Sequence, residues 1–385
     1  MRNADGGAAK VAWQQICRPV SEGGLGIRDL HALNKGLMSK HLWRVITADC
    51  SSIWVDWIFH YRLRELSVWM VSDRTGSWGW RKMVRLRDWL RPFVLYKIGD
   101  GTSFSLWHDP WHPLGPLITQ FPMGPRHTSL PESALLCTVL MGGDWHWPTI
   151  THMESIWITH YLPPIHGGND CTRWTGRGGS FSSAAAYDIF CPPGPKVGWS
   201  SVLVGTFKIP RYRFILWLAI LGRLSTLDKP WLHHLGTSCV LCSDALPESH
   251  EHLFFACSFA YDCLHVIRRE VSLHWPYTSW SLVIQWASVR WRGKHVVNAS
   301  FKALLASLVY HLWQERNRRI FQHITRSPND VARLIVSEIR ELIICKQLPR
   351  TVSTRGLYRL WRIPWPVEGK PIHEICCCTL YHFLN

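Results

Sequence analysis

Three cysteines and one histidine stand in the order Cys239, Cys242, His252, Cys257, a C-x2-C-x9-H-x4-C array. Three thiolates and an imidazole are the ligand set of a closed, tetrahedral zinc site. Two cysteines separated by two residues can face one ion when the chain turns between them. The His252 and Cys257 pair can close the tetrahedron from the start of a following helix. A complete Cys3His shell leaves no position for water or substrate, so the Zn2+ would be structural rather than catalytic. Spacing alone does not choose the histidine, because His250 also lies within reach, and Cys263 is a spare thiol nearby. His252 is favoured because it opens the apolar run Leu253-Phe254-Phe255, which leaves His250 facing solvent. Residues five apart diverge by about 140° on an ideal α-helix, so a local distortion is expected between His252 and Cys257.

Other reactive groupings are sparse. Two-metal phosphoryl chemistry needs clustered carboxylates, yet the chain holds no Asp-Asp pair. Asp100 and Asp109 flank a turn and could approach each other as a remnant nuclease or polymerase site, but read better as turn and cap carboxylates. Neither a G-x-S-x-G elbow nor an H-E-x-x-H helix occurs, and Gly23-Gly24-Leu25-Gly26 lacks phosphate-loop spacing. These absences disfavour an enzyme.

Charge points to a polyanion. The formal net charge is +16 over 385 residues and the isoelectric point is about 9.5, which favours a polyanionic partner, either nucleic acid or an anionic membrane surface. Cations interleave with aromatics around Lys208, Arg211 and Arg213, around Arg290, Arg292 and Lys294, and around Arg316, Arg318 and Arg319. Cations neutralise phosphates, and aromatic faces stack on unpaired bases. The two ends of the cysteine–histidine array match a zinc knuckle with a lengthened middle, and zinc knuckles bind single strands. Thirteen cysteines, an odd count with metal spacing in the tightest group, argue against a disulfide framework. The first ten residues are polar, with no secretory apolar core, and the longest uncharged apolar run, near Phe214–Gly222, is too short for a bilayer. A reducing interior compartment and no membrane follow as expectations.

The elements that must position these residues are mainly helical. A turn at Glu22–Gly26 precedes a helix whose repeat runs Leu30, Leu33, Leu37, His41, Arg44. Residues 51–95 hold two further helical patterns. Gly99-Asp100-Gly101 predicts a hairpin within 96–112, residues 110–125 an irregular linker, and Gly176–Gly179 a second hairpin within 171–183. Helices are expected at Ser183–Phe190, from Pro210 to a stop at Gly222, at about 227–235, over Phe301–Leu312, and from a capping box at Ser327–Asp330. The fold class is mainly α with small β-hairpins. The segments divide at 1–50, a Trp-rich connector at 51–165, a helical metal-binding domain at 170–270, C-terminal helices at 280–348, and a basic, Cys-rich tail at 349–385 containing Cys376–Cys378.

Several stretches, in order, resemble the region that follows the polymerase core in plant LINE-type (non-LTR) retrotransposon reverse transcriptases. They are Trp13–Pro19 leading into Glu22–Leu30, Ile98–Gly101 with Trp107–Trp111, Trp174 with Gly179–Ser182 and Ala186-Tyr187, Arg223–Thr226 with the Cys239, Cys242, His252, Cys257 array, and Trp313–Phe321. Together they span about residues 8–325 and include that family's reverse-transcriptase zinc-binding domain. The resemblance implies structural zinc on those four ligands and RNA or single-stranded DNA as partner. It further implies a reverse transcriptase acting in trans and residence in the nucleus, or otherwise the cytoplasm. No polymerase core with paired aspartates and no endonuclease or ribonuclease H signature is read in the chain, so the expected role is a non-catalytic nucleic-acid-binding protein. A protein-interaction module, or a retroelement remnant without nucleic-acid binding, is the alternative.

Overall fold

The computed structural model describes residues 10–49, 51–64, 66–148, 158–271, 275–276 and 279–365. Cys376–Cys378 lie outside the described residues. Among the described residues the chain is mostly helical, with two small antiparallel sheets of two strands each, in agreement with the expected class. It divides into two compact units, residues 28–193 and residues 1–27 together with 194–385. The sequence segments 1–50 and 170–270 are therefore each shared between the two units.

In the first unit, α1 (Leu30–Ile46) is capped by Asp29, whose carboxylate accepts from the N–H groups of His31 and Ala32. Its inner face is not the predicted leucine stripe. Leu30, Leu37 and His41 are exposed, whereas Ala32, Gly36, Ser39, Leu42 and Val45 are buried. A Cβ at Gly36 would sit 2.9 Å from the carbonyl oxygen of Ser183. Close backbone approach to a second helix selects small side chains, and hydrophobic periodicity does not register that requirement. After α2 (Ile53–Ile58) the chain widens into a π-helical turn, Phe59–Leu63, and α3 spans Trp78–Val84.

Strand β1 (Val94–Lys97) pairs antiparallel with β4 (Cys171–Trp174), Val94 opposite Trp174, while β2 (Leu140–Met141) and β3 (Asp144–Trp145) form a minimal hairpin. Both predicted hairpins are thus corrected. Gly99–Gly101 does turn, but its amides fold around a distant carboxylate: Gly99 and Gly101 N–H donate to Asp170 Oδ1 at 2.7 and 3.0 Å. Gly176–Gly179 also turns, yet Phe181 returns as an edge-on contact to Trp174 rather than as a strand. Turn chemistry is local, whereas the choice of strand partner is not. The stretch 110–125, expected to be irregular, holds a helical turn at Leu117–Gln120 with Leu117 buried. Helix α4 (Ser183–Phe190) begins as predicted, Ser182 Oγ accepting from Ala185 N–H.

The second unit contains α5 (Pro210–Ile220), α6 (Ser258–Glu270), α7 (Trp280–Arg290), α8 (Val296–Gln322), α9 (Pro328–Cys345) and α10 (Val352–Leu360). Helix α8 packs against α5, α9 and α10, and α6 packs against α9. By length and hydropathy α8 could cross a membrane, but 61% of its most apolar stretch is buried within the protein. The Ser327 half of the expected capping box of α9 forms, Asp330 N–H donating to Ser327 Oγ at 3.2 Å, while the Asp330 carboxylate accepts from the Ser327 hydroxyl. Residues after Pro349, read as tail, instead open with α10, which buries Leu357 and Tyr358. The Glu22–Gly26 turn belongs to this unit: a Cβ at Gly24 would lie 2.0 Å from the carbonyl oxygen of Arg18, and Trp217 Nε1 donates to the Gly23 carbonyl. That glycine run is a structural knot.

Candidate metal centre

The Cys239–Cys242 turn sits on one arm of a small hairpin. Cys239 N–H donates to the Leu246 carbonyl and Glu248 N–H to the Thr237 carbonyl, each at 2.8 Å, and Ser238 bridges Pro247. The nine-residue spacer is therefore folded back on itself rather than looped out. Its return arm delivers the chain to His252–Ala256, a single π-helical turn. The expected distortion takes that form. Hydrogen bonding from i to i+5 widens the turn, which swings Cys257 back to the face that carries His252.

All four ligand atoms lie within 4.8 Å of one another. Cys239 Sγ is 3.9 Å from Cys257 Sγ, and Cys242 Sγ is 3.3 Å from His252 Nε2. A tetrahedron with Zn–S of about 2.3 Å and Zn–N of about 2.0 Å has edges of about 3.5–3.8 Å. Both contacts fit within a few tenths of an ångström, so the donor set suits zinc. Among the three sulfurs one is favoured as a thiolate before a cation arrives, while burial pushes Cys242 up. Cys239 is held down to about 5, first by its contact with Cys257, and by the N–H groups of Cys242 and Leu241. With that charge in place Cys257 is pushed up, by the shared hydrogen bond and by burial. Cys257 also occupies the N-cap of α6, where the helix dipole favours a negative sulfur. His250 is not a ligand, and it is not solvent-facing either. Its ring packs edge-on against Phe254 and Trp280 at 5.0 and 5.1 Å, and burial pushes it down to about 4. Cys263 is fully buried on α6, its thiol pushed up to about 12 by burial.

Residues 181–263 match the family described as zinc-binding in reverse transcriptase. The chain is 34% identical over 116 residues to an uncharacterised mitochondrial protein of Arabidopsis thaliana, covering 73% of that relative and 28% of this chain. This chain belongs to the reverse-transcriptase zinc-binding family. A second Arabidopsis thaliana protein, provisionally named a ribonuclease H protein, is 27% identical over 265 residues. That alignment covers 64% of this chain and 42% of the relative. No solved structure matches the chain.

Within this zinc-binding protein, the Trp313–Phe321 stretch of α8 holds the metal loop from behind. Arg319 Nη1 donates to the carbonyls of Val240 and Leu241 at 3.0 and 2.9 Å, the two residues between the first cysteine pair. Its Nε donates to Glu315, which also receives Arg318 and the Arg326 N–H. Arg316 forms a buried pair with Glu248 on the hairpin's return arm, 2.8 Å, both side chains at most 3% exposed. Glu248 further accepts from Leu227 N–H. Sequence reading missed Glu248 and Glu315, and assigned the arginines elsewhere. The Glu-Arg-Asn-Arg-Arg string showed that charges of both signs stand together, but nothing local revealed that they turn inward.

The nine candidate nucleic-acid cations thus separate. Arg316 is sealed in the interior, and Arg319 is spent on backbone carbonyls and Glu315, so neither presents a free guanidinium to a phosphate. Arg318 is half-buried and paired with Glu315. Arg211 lies over the rings of Tyr212 and Tyr310, and burial lowers the pKa of Arg213. Lys208, Arg290, Arg292 and Lys294 are exposed, the last three grouped where α7 gives way to α8. Asp100 accepts from Thr102 N–H and Oγ1. Asp109 is half-buried and accepts from Ser105 N–H in its own turn and from Ser67 Oγ, 42 residues away in sequence, so both carboxylates are engaged in holding loops.

Proposed function

We propose that this chain is a non-catalytic, zinc-stabilised nucleic-acid-binding module of LINE-type, non-LTR retrotransposon origin. Its partner is RNA or single-stranded DNA, and it works in the nucleus beside a reverse transcriptase supplied in trans. The observation that carries the reading is the exposed cationic group Arg290, Arg292 and Lys294 on the zinc-bearing unit of a chain with net charge +16. Zinc holds the hairpin and α6 together, and α8 ties that centre to the helices that present these cations. The ribonuclease H name of the Arabidopsis relative is not extended to this chain. Among the described residues, the group of three or more potential metal ligands is the Cys3His centre, which has no open coordination position.

The test is binding of fluorescein-labelled oligouridylate and oligothymidylate to the full chain in graded salt. Single-strand binding led by phosphate contacts loses affinity with a log–log slope of about −0.7 per phosphate neutralised. These three contacts contribute about −2 to that slope, and Arg290→Gln with Arg292→Gln should flatten it by about 1.4. A slope near zero would reject phosphate-led recognition and favour a protein-interaction role. Magnesium-dependent cleavage of the same oligonucleotides, lost in Asp109→Asn, would reject the non-catalytic assignment.

A further inference from the structure

We infer that the first unit carries a second single-strand contact, a cleft between α1, α2 and α3 that stacks unpaired bases of RNA or single-stranded DNA. The inference rests on the nucleic-acid reading above but places a contact far along the chain from the zinc centre. Trp54, Trp57 and Tyr61 fall at i, i+3 and i+7 along α2 and the π-helical turn after it. They are 39, 45 and 59% exposed, while Val55 and Ile58 are buried. The outer side of this segment, where polar residues normally belong, is thus a row of aromatic rings. Trp57 and Tyr61 lie 5.6 Å apart with planes only 32° from parallel.

Beside this row opens a cleft of about 470 Å³, lined by Trp54, Trp57 and Arg62 on one side, with His41 and Arg44 of α1 and Trp80 of α3 on the other. That volume lies within the range that admits a planar organic group. Among the described residues no carboxylate lines it. The Arg62 guanidinium lies 5.9 Å over the Trp57 ring, and Lys82 Nζ lies 5.7 Å over Trp78, itself 65% exposed. Neither cation is ion-paired among the described residues, while Arg44 leans on Asp49. Partly exposed rings with cations that have no carboxylate partner set beside them are the two halves of a sequence-tolerant single-strand site. The rings stack bases and the cations meet the intervening phosphates. An apolar peptide would satisfy the rings but leave both cations without counter-charge, so charge complementarity favours the polynucleotide.

The experiment compares the full-length protein with Trp54→Leu/Trp57→Leu and with Arg62→Gln/Lys82→Gln, using the same labelled oligouridylate and oligothymidylate. Leucine keeps apolar bulk and removes the π-face. Loss of stacking should weaken binding by about tenfold or more per ring at an unchanged salt slope. Loss of the two cations should instead reduce the slope by about 1.4. Wild-type protein that binds, with ring variants binding equally well, overturns the cleft and leaves the general reading intact. Wild-type protein that fails to bind overturns both. Photocrosslinking of a 5-iodouracil oligonucleotide to the unmutated chain gives a readout independent of variant folding. Adducts on the peptide carrying Trp54–Tyr61 support the cleft, and adducts confined to other peptides overturn it.

Discussion

Arg319 is the most exposing test of how the metal centre is built. Its guanidinium makes two charge-assisted hydrogen bonds to the Val240 and Leu241 carbonyls, one to Glu315 and one to the Arg326 carbonyl. Replacing it with methionine retains an apolar stem against Phe259, over which the guanidinium now lies at 4.6 Å, and removes every donor. Bonds with one charged partner contribute about 1.5–3 kcal/mol each. Val240 is only half-buried and its carbonyl regains water, whereas Leu241 is buried, so a loss of about 2–3 kcal/mol is expected rather than the full sum. Part of that loss must appear in metal binding, because the carbonyls belong to the turn that sets the Cys239–Cys242 spacing. Removing an outer partner of a metal ligand typically weakens affinity by about 10–100-fold. The assay is zinc competition against a chromogenic chelator at fixed pH on the full chain, with Arg333→Met, an exposed cation on α9, as control. Arg319→Lys keeps the charge but cannot fork to two carbonyls, and should recover only part of the affinity. A folded Arg319→Met protein that binds zinc within twofold of wild type would refute the argument, as would complete recovery by lysine.

Three further outcomes follow from the same structure. Chelation should abolish amide protection over residues 237–263 and lower the melting temperature, because structural zinc supplies much of a small module's folding energy. Protection over α1 and α4, in the other unit, should persist, and a melting curve indifferent to chelator would count against the site. Gly36→Ala should lower the denaturant midpoint: a Cβ 2.9 Å from the Ser183 carbonyl costs about 1–3 kcal/mol in overpacking, and better helix propensity returns about 1. A rise in midpoint would disprove the close helix contact. Burial raises the pKa of Asp109 above its ordinary 3.8 despite its bonds to Ser67 and Ser105. A raised folded value stabilises below the unfolded one and is lost as pH climbs through the folded one. The stability of wild type relative to Asp109→Asn should therefore decline as pH rises through and above the ordinary value of 3.8, and a flat or rising difference in urea titrations contradicts it.

Much of the metal centre was legible from spacing, because ligand chemistry is written in residue type and in short intervals along one chain. Helix starts were legible for a related reason: Asp29, Ser182 and Ser327 cap through bonds reaching only two or three residues ahead. Even the distortion between His252 and Cys257 followed from helical geometry, although the sequence did not name the π-helical turn that relieves it.

Partners distant in sequence were not legible. Tertiary packing paired β1 with β4 across more than seventy residues, turned α1 so that Gly36 rather than Leu37 meets its neighbour, and ordered α10 out of an apparent tail. It also reassigned the arginines. Composition presented Arg316 and Arg319 as surface charge, but Glu248 and the Val240 and Leu241 carbonyls wait for them from other parts of the chain. A guanidinium beside an aromatic reads the same in sequence whether it faces water or a buried carboxylate. Only the fold brings the carboxylate, and with it the difference between a phosphate contact and a brace for zinc.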